Sequence, residues 1–196
     1  MYVIGLTGGV GSGKSYVAHR LSEMYDAKLL IADELGHVVM SKGTACYNRI
    51  VESFGTEILE KDGEIDRKKM AEVIFGDASR RKLLNDIVHP EVIEYIKRFI
   101  DERKEKDGII ILETAIMYES GCDRLCDEVW YVYVPAKVRI KRLSDNRGYT
   151  EEKSESIIAN QKPDDFFLSK ADKIIRNDGS FEELENELHN VYNKFV

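Results

Sequence analysis

Cysteine, proline and positive charge are all scarce in this chain of 196 residues, and each scarcity removes a class of protein. Cys46, Cys122 and Cys126 are odd in number, and their spacing fits neither a disulfide framework nor a zinc knuckle, so they read as reduced thiols. No apolar run approaches the length of a membrane span, and Met1 leads into an apolar segment without a basic leader or a small-residue cleavage site. The expectation is a soluble, cytoplasmic protein with no membrane partner. Lys and Arg number 29 against 36 Asp and Glu, a net charge of −7, which argues against a general nucleic-acid binder. A local basic pocket for a phosphorylated metabolite stays compatible with that balance. There is no repeat and no low-complexity segment. The chain also lacks H-E-x-x-H and G-x-S-x-G, and it shows neither the D-x-x-G switch of a regulatory GTPase at the end of its third apolar run nor an N-K-x-D. Its length suits one sizeable core with a helical insertion, not a second full domain.

What is present begins at once. Met1 to Thr7 form a short apolar run, and Gly8-Gly9-Val10-Gly11-Ser12-Gly13-Lys14-Ser15 then matches G-x-x-x-x-G-K-S in full. A polyphosphate cradle needs successive backbone N–H groups turned inward, which glycine permits by tolerating positive φ and leaving no side chain in the way. Lys14 is placed to reach the β- and γ-phosphates and Ser15 to offer its hydroxyl to Mg²⁺. Val17, Ala18, Leu21 and Met24 mark a helix after the loop, with its dipole aimed at the anion.

Further apolar runs predict strands at Ala27–Ala32, Gly108–Leu112, Glu128–Val134 and Ala171–Ile175, the short continuous kind that a buried parallel sheet requires. Asp33 stands at the end of the second strand, and Glu113 and Thr114 at the end of the third. Between them lies helical patterning. Gly43 breaks one helix, Ile50, Val51 and Phe54 supply a face for the next, and Asp66 caps another with Met70, Val73, Ile74 and Phe75 inward. A basic turn (Arg80, Arg81, Lys82) precedes a long helix expected to start at His89-Pro90. After the fourth strand comes a helix rich in Lys137, Arg139, Lys141 and Arg142, then a turn at Arg147-Gly148-Tyr149. Thr150 caps the next helix, which Pro163 stops. Ser180 with Glu183 forms a capping box for the closing helix, with Phe181, Leu184, Leu188 and Val191 inward. The expected architecture is a three-layer α/β/α fold with a five-stranded parallel sheet. Residues 1–33, 106–138 and 168–196 form its nucleotide-binding core, 34–105 a helical acceptor-binding region and 139–167 a small helical lid.

Around the loop, the residue types favour a small-molecule kinase. A carboxylate at Asp33 can orient an acceptor hydroxyl and take its proton, or cap the helix that follows, and the two roles are compatible. Arg139, Arg142 and Arg147 can neutralise charge gathering on a transferring phosphoryl group, or form a solvated helix face. Glu113 and Thr114 can contact the Mg²⁺ hydration shell or the substrate, or simply end a strand. His89 can touch a ligand or serve structure.

Taken in order, these residues resemble the dephospho-coenzyme A kinase family over nearly the whole chain. The resemblance is carried by Gly5 to Ser15, Ile31-Ala32-Asp33, Gly43, Phe54-Gly55, Gly63-Glu64-Ile65-Asp66-Arg67 and Phe75. It continues through Arg139, Arg142, Gln161, Ala171-Asp172 and Asn177-Asp178-Gly179. Its most specific stretch is Leu84-Asn85-Asp86-Ile87-Val88-His89-Pro90-Glu91-Val92, which nucleotide kinases at large lack. The resemblance implies a P-loop kinase fold and transfer of phosphate from ATP, with Mg²⁺, to the ribose 3'-hydroxyl of dephospho-coenzyme A. It implies catalytic roles for Asp33, Lys14 and Arg142, and nucleotide binding by Gly9, Val10, Gly11, Ser12, Gly13, Lys14, Ser15, Tyr16, Arg139, Arg142 and Asn177, the last near adenine. Ser15 would hold the metal, and Asp33, His89 and Glu113 the acceptor. No nucleic acid is implied, and the chain is expected to be a monomer or weak homo-oligomer. Glu113-Thr114-Ala115-Ile116-Met117-Tyr118-Glu119 departs from the family's usual Asp-x-Pro-Leu-Leu-Phe-Glu, and Tyr16 stands where threonine is common; its ring is expected to be buried. The alternatives are a P-loop kinase for another nucleotide or small alcohol, and a non-catalytic nucleotide-binding regulatory protein.

Overall fold

In the computed structural model, five segments pair side by side as one parallel sheet. They are β1 (Tyr2–Gly8), β2 (Lys28–Ile31), β3 (Ile109–Glu113), β4 (Glu128–Tyr133) and β5 (Lys173–Arg176), in the order β2-β3-β1-β4-β5. The structure describes residues 1–195; Val196, the last residue of the nucleotide-binding core drawn from the sequence, lies outside them. The helices are α1 (Lys14–Met24), α2 (Ala32–Val39), α3 (Ala45–Phe54), α4 (Arg67–Ile74), α5 (Ala78–Asp101), α6 (Ala136–Arg147), α7 (Glu151–Ala159), α8 (Asp164–Leu168) and α9 (Phe181–Phe195).

The chain falls into two units, Met1–Ile31 with the chain from Arg103 onward, and Ala32–Glu102. Residues 139–167 belong to the first. Its sheet is parallel because each connection crosses back along the sheet before the next strand begins, and the apolar runs are buried because helices cover both faces. Along β1 the side chains alternate. Ile4 and Leu6 join Ile111, Trp130, Val132 and Ile175 on one face, packed with Val17, Ala18 and Leu21 of α1 and Leu184 and Leu188 of α9. Each such side chain contributes about 1.5–3 kcal/mol when fully buried. On the other face Tyr131 stacks on Phe167 of α8, with ring centroids 4.9 Å apart, and Gly5 lies under Met117 and Cys126. As the edge strand, β2 buries only Leu30 completely.

In the second unit α2, α3 and α4 all pack on α5. Side-chain caps start three of these helices. Thr44 accepts from the Tyr47 N–H, Asp66 from Lys68 and Lys69, and Asp77 from Ser79 and Arg80. The last cap corrects the sequence reading. Arg80, Arg81 and Lys82 are not a turn but the opening of α5, and Pro90 lies inside that helix rather than at its start. An interior proline forfeits its bond to the carbonyl four residues back and costs about 3 kcal/mol. Here burial of Ile87 on one side of it and of Val92 and Ile96 on the other holds both halves as one helix. Phe75, expected inward, is 88% exposed, because α4 ends at Ile74 and Phe75 is already extended. Phe181 is likewise 65% exposed, although the capping box it follows forms as read, with Ser180 N–H donating to Glu183 and Glu183 N–H to Ser180 Oγ. Pro163 ends no long element; it precedes the short α8.

Two glycines should respond oppositely to alanine. A Cβ on Gly5 would stand 2.7 Å from Cys126 Sγ and 2.8 Å from Met117 Cε, an overpacked core that should lose about 1–3 kcal/mol. Gly36 lies within α2, and a Cβ there would meet nothing within 4 Å. Gly36→Ala should gain about 0.5–1 kcal/mol by helix propensity. Urea unfolding midpoints of Gly5→Ala and Gly36→Ala, moving down and up, check both.

Candidate active site

The site begins where β1 runs out. Gly11 and Gly13 take φ values of 78° and 79°, in the left-handed region that side chains disfavour. That turn brings the chain into α1 with Gly13 as a cap that has no side chain to offer. The N–H groups of Gly11, Gly13, Lys14, Ser15 and Tyr16 therefore have no hydrogen-bond partner among the described residues. The start of a helix always leaves such donors, and here the loop adds to them. Two loop donors are already used: Ser12 N–H bonds to the Gly9 carbonyl at 3.1 Å, and Val10 N–H to Gln161 Oε1 at 3.0 Å.

Strand register explains the next partner. Glu113, the last residue of β3, pairs with Leu6 of β1, so its side chain rises next to the loop. It is 3% exposed. One carboxylate oxygen lies 3.5 Å from Lys14 Nζ, and the other accepts from Ser15 Oγ at 3.3 Å. The extra methylene relative to aspartate is used to reach both.

Behind the loop, residues from β5 and α6 hold its shape. Asn177 follows β5 and continues the ladder through its N–H to the Tyr133 carbonyl. Its side-chain amide donates to the Ser12 carbonyl at 2.7 Å, and its own carbonyl accepts from Arg142 Nη2 at 2.8 Å. The Asn177 amide nitrogen thus braces the loop. Arg139 does not face solvent. It is 4% exposed, lies against Gly9 where a Cβ would overlap Nη1, and bonds through Nη2 to Asp164 Oδ1 at 3.1 Å. Tyr131 donates its hydroxyl to the same Asp164 oxygen at 2.7 Å. Burial first, then this carboxylate, pushes the Tyr131 hydroxyl well above the usual phenol range.

A cavity of about 290 Å³ opens over the cradle, lined among others by Gly11, Gly13, Lys14, Ser15, Arg142 and Arg147. Tyr16 is also at its wall, but its ring is 39% exposed rather than buried. It points along the surface because its hydroxyl donates to Glu185 at 3.1 Å and its ring meets Phe181 edge-on at 5.8 Å. Arg20 hydrogen bonds to Glu185 too, and with Tyr16 holds that carboxyl down at about 2.

The structure therefore gathers Gly9 to Tyr16, Glu113, Arg139, Arg142 and Asn177 in the first unit. Asp33 and His89 belong to the second. The helix there starts one residue after β2, so Asp33 sits exposed in the first turn of α2 rather than at a strand tip. His89 is half-buried in α5. Sequence reasoning gave no role to Gln161, Asp164 or Tyr131. The first appeared only within a family pattern, and all three meet the loop or its supports through contacts far apart in the chain.

A parallel sheet with a polyphosphate cradle at the end of its central strand defines a P-loop kinase fold. The dephospho-CoA kinase family model matches residues 2–183. The chain belongs to that family. A dephospho-CoA kinase of Carboxydothermus hydrogenoformans is 35% identical over 195 residues, covering 98% of this chain and 94% of that protein. Among solved structures, a Thermus thermophilus protein superposes with a TM-score of 0.77 at 25% identity, covering 100% of this chain and 98% of its own. A dephospho-CoA kinase from Campylobacter jejuni superposes at 0.75 and 23% identity, covering 98% and 96%.

Gly9 offers a direct test of the cradle's support. Gly9→Ala should displace the buried Arg139 guanidinium and with it the bond to Asp164. Titration calorimetry should show ATP affinity falling about tenfold or more, a loss on the scale of one strong charge-assisted contact. Circular dichroism should show the fold retained.

Proposed function

We infer that this protein phosphorylates dephospho-CoA, transferring the γ-phosphoryl group of ATP to the ribose 3'-hydroxyl and so completing coenzyme A. The observation that carries the nucleotide half is the set of N–H groups at Gly11, Gly13, Lys14, Ser15 and Tyr16 that have no partner among the described residues, beside the Lys14 side chain. Family membership over nearly the whole chain carries the acceptor.

In this reading the loop N–H groups bind the β- and γ-phosphates, and Lys14 leaves Glu113 in part to neutralise the oxygen that bridges or surrounds the breaking bond. Arg142, anchored on the Asn177 carbonyl, adds positive charge where the transferring group gathers negative charge. Asp33 accepts the proton of the acceptor hydroxyl as its oxygen bonds to phosphorus and the bond to ADP breaks. An exposed carboxylate at a helix start is available for that contact. His89, with Glu113, helps to hold the acceptor, and the helical region 34–105 receives it. Residues 139–167 act as a lid that excludes water.

The donor set suits Mg²⁺. Ser15 Oγ and the Glu113 carboxylate are hard oxygen ligands 3.3 Å apart at the edge of the cradle. Ser15 would hold the ion directly and Glu113 would orient its shell; when bound, Mg²⁺ supplies charge neutralisation on the phosphate oxygens. ATP and Mg²⁺ are thus the small-molecule needs of the site. No described helix is long and apolar enough to cross a membrane.

Incubation with ATP, Mg²⁺ and a panel of dephospho-CoA, AMP, CMP and adenosine tests the acceptor: dephospho-CoA should turn over fastest, and faster turnover of any other member overturns the assignment. Asp33→Asn should keep ATP affinity within about twofold while kcat falls about 10²-fold or more, the usual contribution of a general base. A kcat near the parent's would remove Asp33 from the base role.

A further inference from the structure

Gln161 makes the one side-chain contact to the phosphate loop that comes from the segment between α7 and α8. Its Oε1 accepts the Val10 N–H at 3.0 Å, and the same oxygen would stand 3.3 Å from a Cβ on Gly9. A glutamine amide carries one acceptor and two donors. Here the acceptor is anchored on the loop, while Nε2 has no hydrogen-bond partner among the described residues. The anchored oxygen fixes where the donors can be. They lie within one amide group's reach of Val10, on a loop where the N–H groups of Gly11, Gly13, Lys14, Ser15 and Tyr16 also have no partner among the described residues.

The neighbouring groups keep Gln161 in place. Arg139 fills the space beside Gly9, Asp164 holds Arg139, and Tyr131 holds Asp164. Pro163 and the short α8 follow Gln161 closely and bring Phe167 into the stack on Tyr131. The segment carrying Gln161 is thus tied at its far end to the sheet, and its amide is held against the first half of the loop. Such a side chain is too well placed to be a passive cap on Val10, because a carbonyl alone would satisfy that donor.

We propose that Gln161 is a catalytic residue of this enzyme, with Oε1 on Val10 N–H setting its orientation and Nε2 donating to the γ-phosphoryl group of ATP. This rests on the kinase reading above and adds a donor to it. Gln161 would distinguish ATP from ADP, and it would link the segment after α7 to the presence of the terminal phosphate. A neutral donor that meets charge only on the transferring group strengthens as that charge develops.

Two variants separate this role from a purely structural one. Gln161→Ala removes both functions; Gln161→Glu keeps the acceptor for Val10 but replaces the donor with a negative charge. Affinities for ATP and ADP are measured by calorimetry without acceptor, alongside kcat and thermal unfolding. If Nε2 binds the γ-phosphoryl group, both variants lower the ATP-to-ADP affinity ratio by about tenfold or more, Glu at least as much as Ala, with ADP affinity within about twofold of the parent. Their kcat falls in the same order. A Gln161→Glu protein with the parent's ratio, or an unchanged ratio in both variants, overturns the proposal, as does equal loss of ATP and ADP binding. Because the ratio is read without acceptor, failure of dephospho-CoA turnover in the parent would count against the function and leave this test intact.

Discussion

The unpaired backbone donors at the start of α1 are the constraint around which the first unit is arranged. Five N–H groups converge where Gly13 gives no side chain to cap them. Successive donors turned to one side at a helix start make an anion the natural completion of the site. The surrounding residues take up the roles this leaves. Glu113 pairs with Lys14, Asn177 fixes the Ser12 carbonyl from behind, and Arg139 fills the space that a Gly9 side chain would occupy. Each of them holds the loop in a shape whose free valence is for negative charge.

The order of the strands supplies these residues. With β1 in the middle and β3 and β4 beside it, the ends of neighbouring strands rise around the loop. The side chains around the loop in the first unit follow from this. Glu113 ends β3, Arg139 and Arg142 lie on the helix after β4, and Asn177 follows β5. Asp33 follows β2 by two residues, already in α2. Ligands of open parallel sheets collect at this edge for the same reason: chain reversals and helix starts meet there, and the loops are free to vary.

Much of this was legible beforehand. All five strands, the loop, the caps at Asp66, Thr150 and Ser180 and the helical insertion were read from short-range patterns. Those patterns record local physics, such as a short continuous apolar run or a hydroxyl before a helix. The errors share another origin. The helix start at Asp77 was overlooked because Pro90 is a strong local signal, and burial of residues on both sides of it outweighed that signal. Phe75, Phe181 and Tyr16 were assigned inward by hydrophobicity, but exposure depends on what packs opposite, and for Tyr16 that is Glu185, far along the chain. The solvated helix face that the sequence leaves open for Arg139 is excluded by its burial, which depends on Asp164 and Gly9.

The sequence by itself determined that a triphosphate is held here, since eight consecutive residues specify the turn, the lysine and the hydroxyl that such a ligand needs. It determined the family too, through the run from Leu84 to Val92 and the other marks in order. Only the tertiary structure decided how the loop is supported. It spends Asn177 on the Ser12 carbonyl, buries Arg139 beneath Gly9, joins Glu113 to both Lys14 and Ser15, and brings Gln161 to Val10 across most of the chain. The reason is the range of the forces. Backbone conformation and capping act over a few residues and leave a periodic trace, whereas these contacts arise only when strand order brings distant segments together.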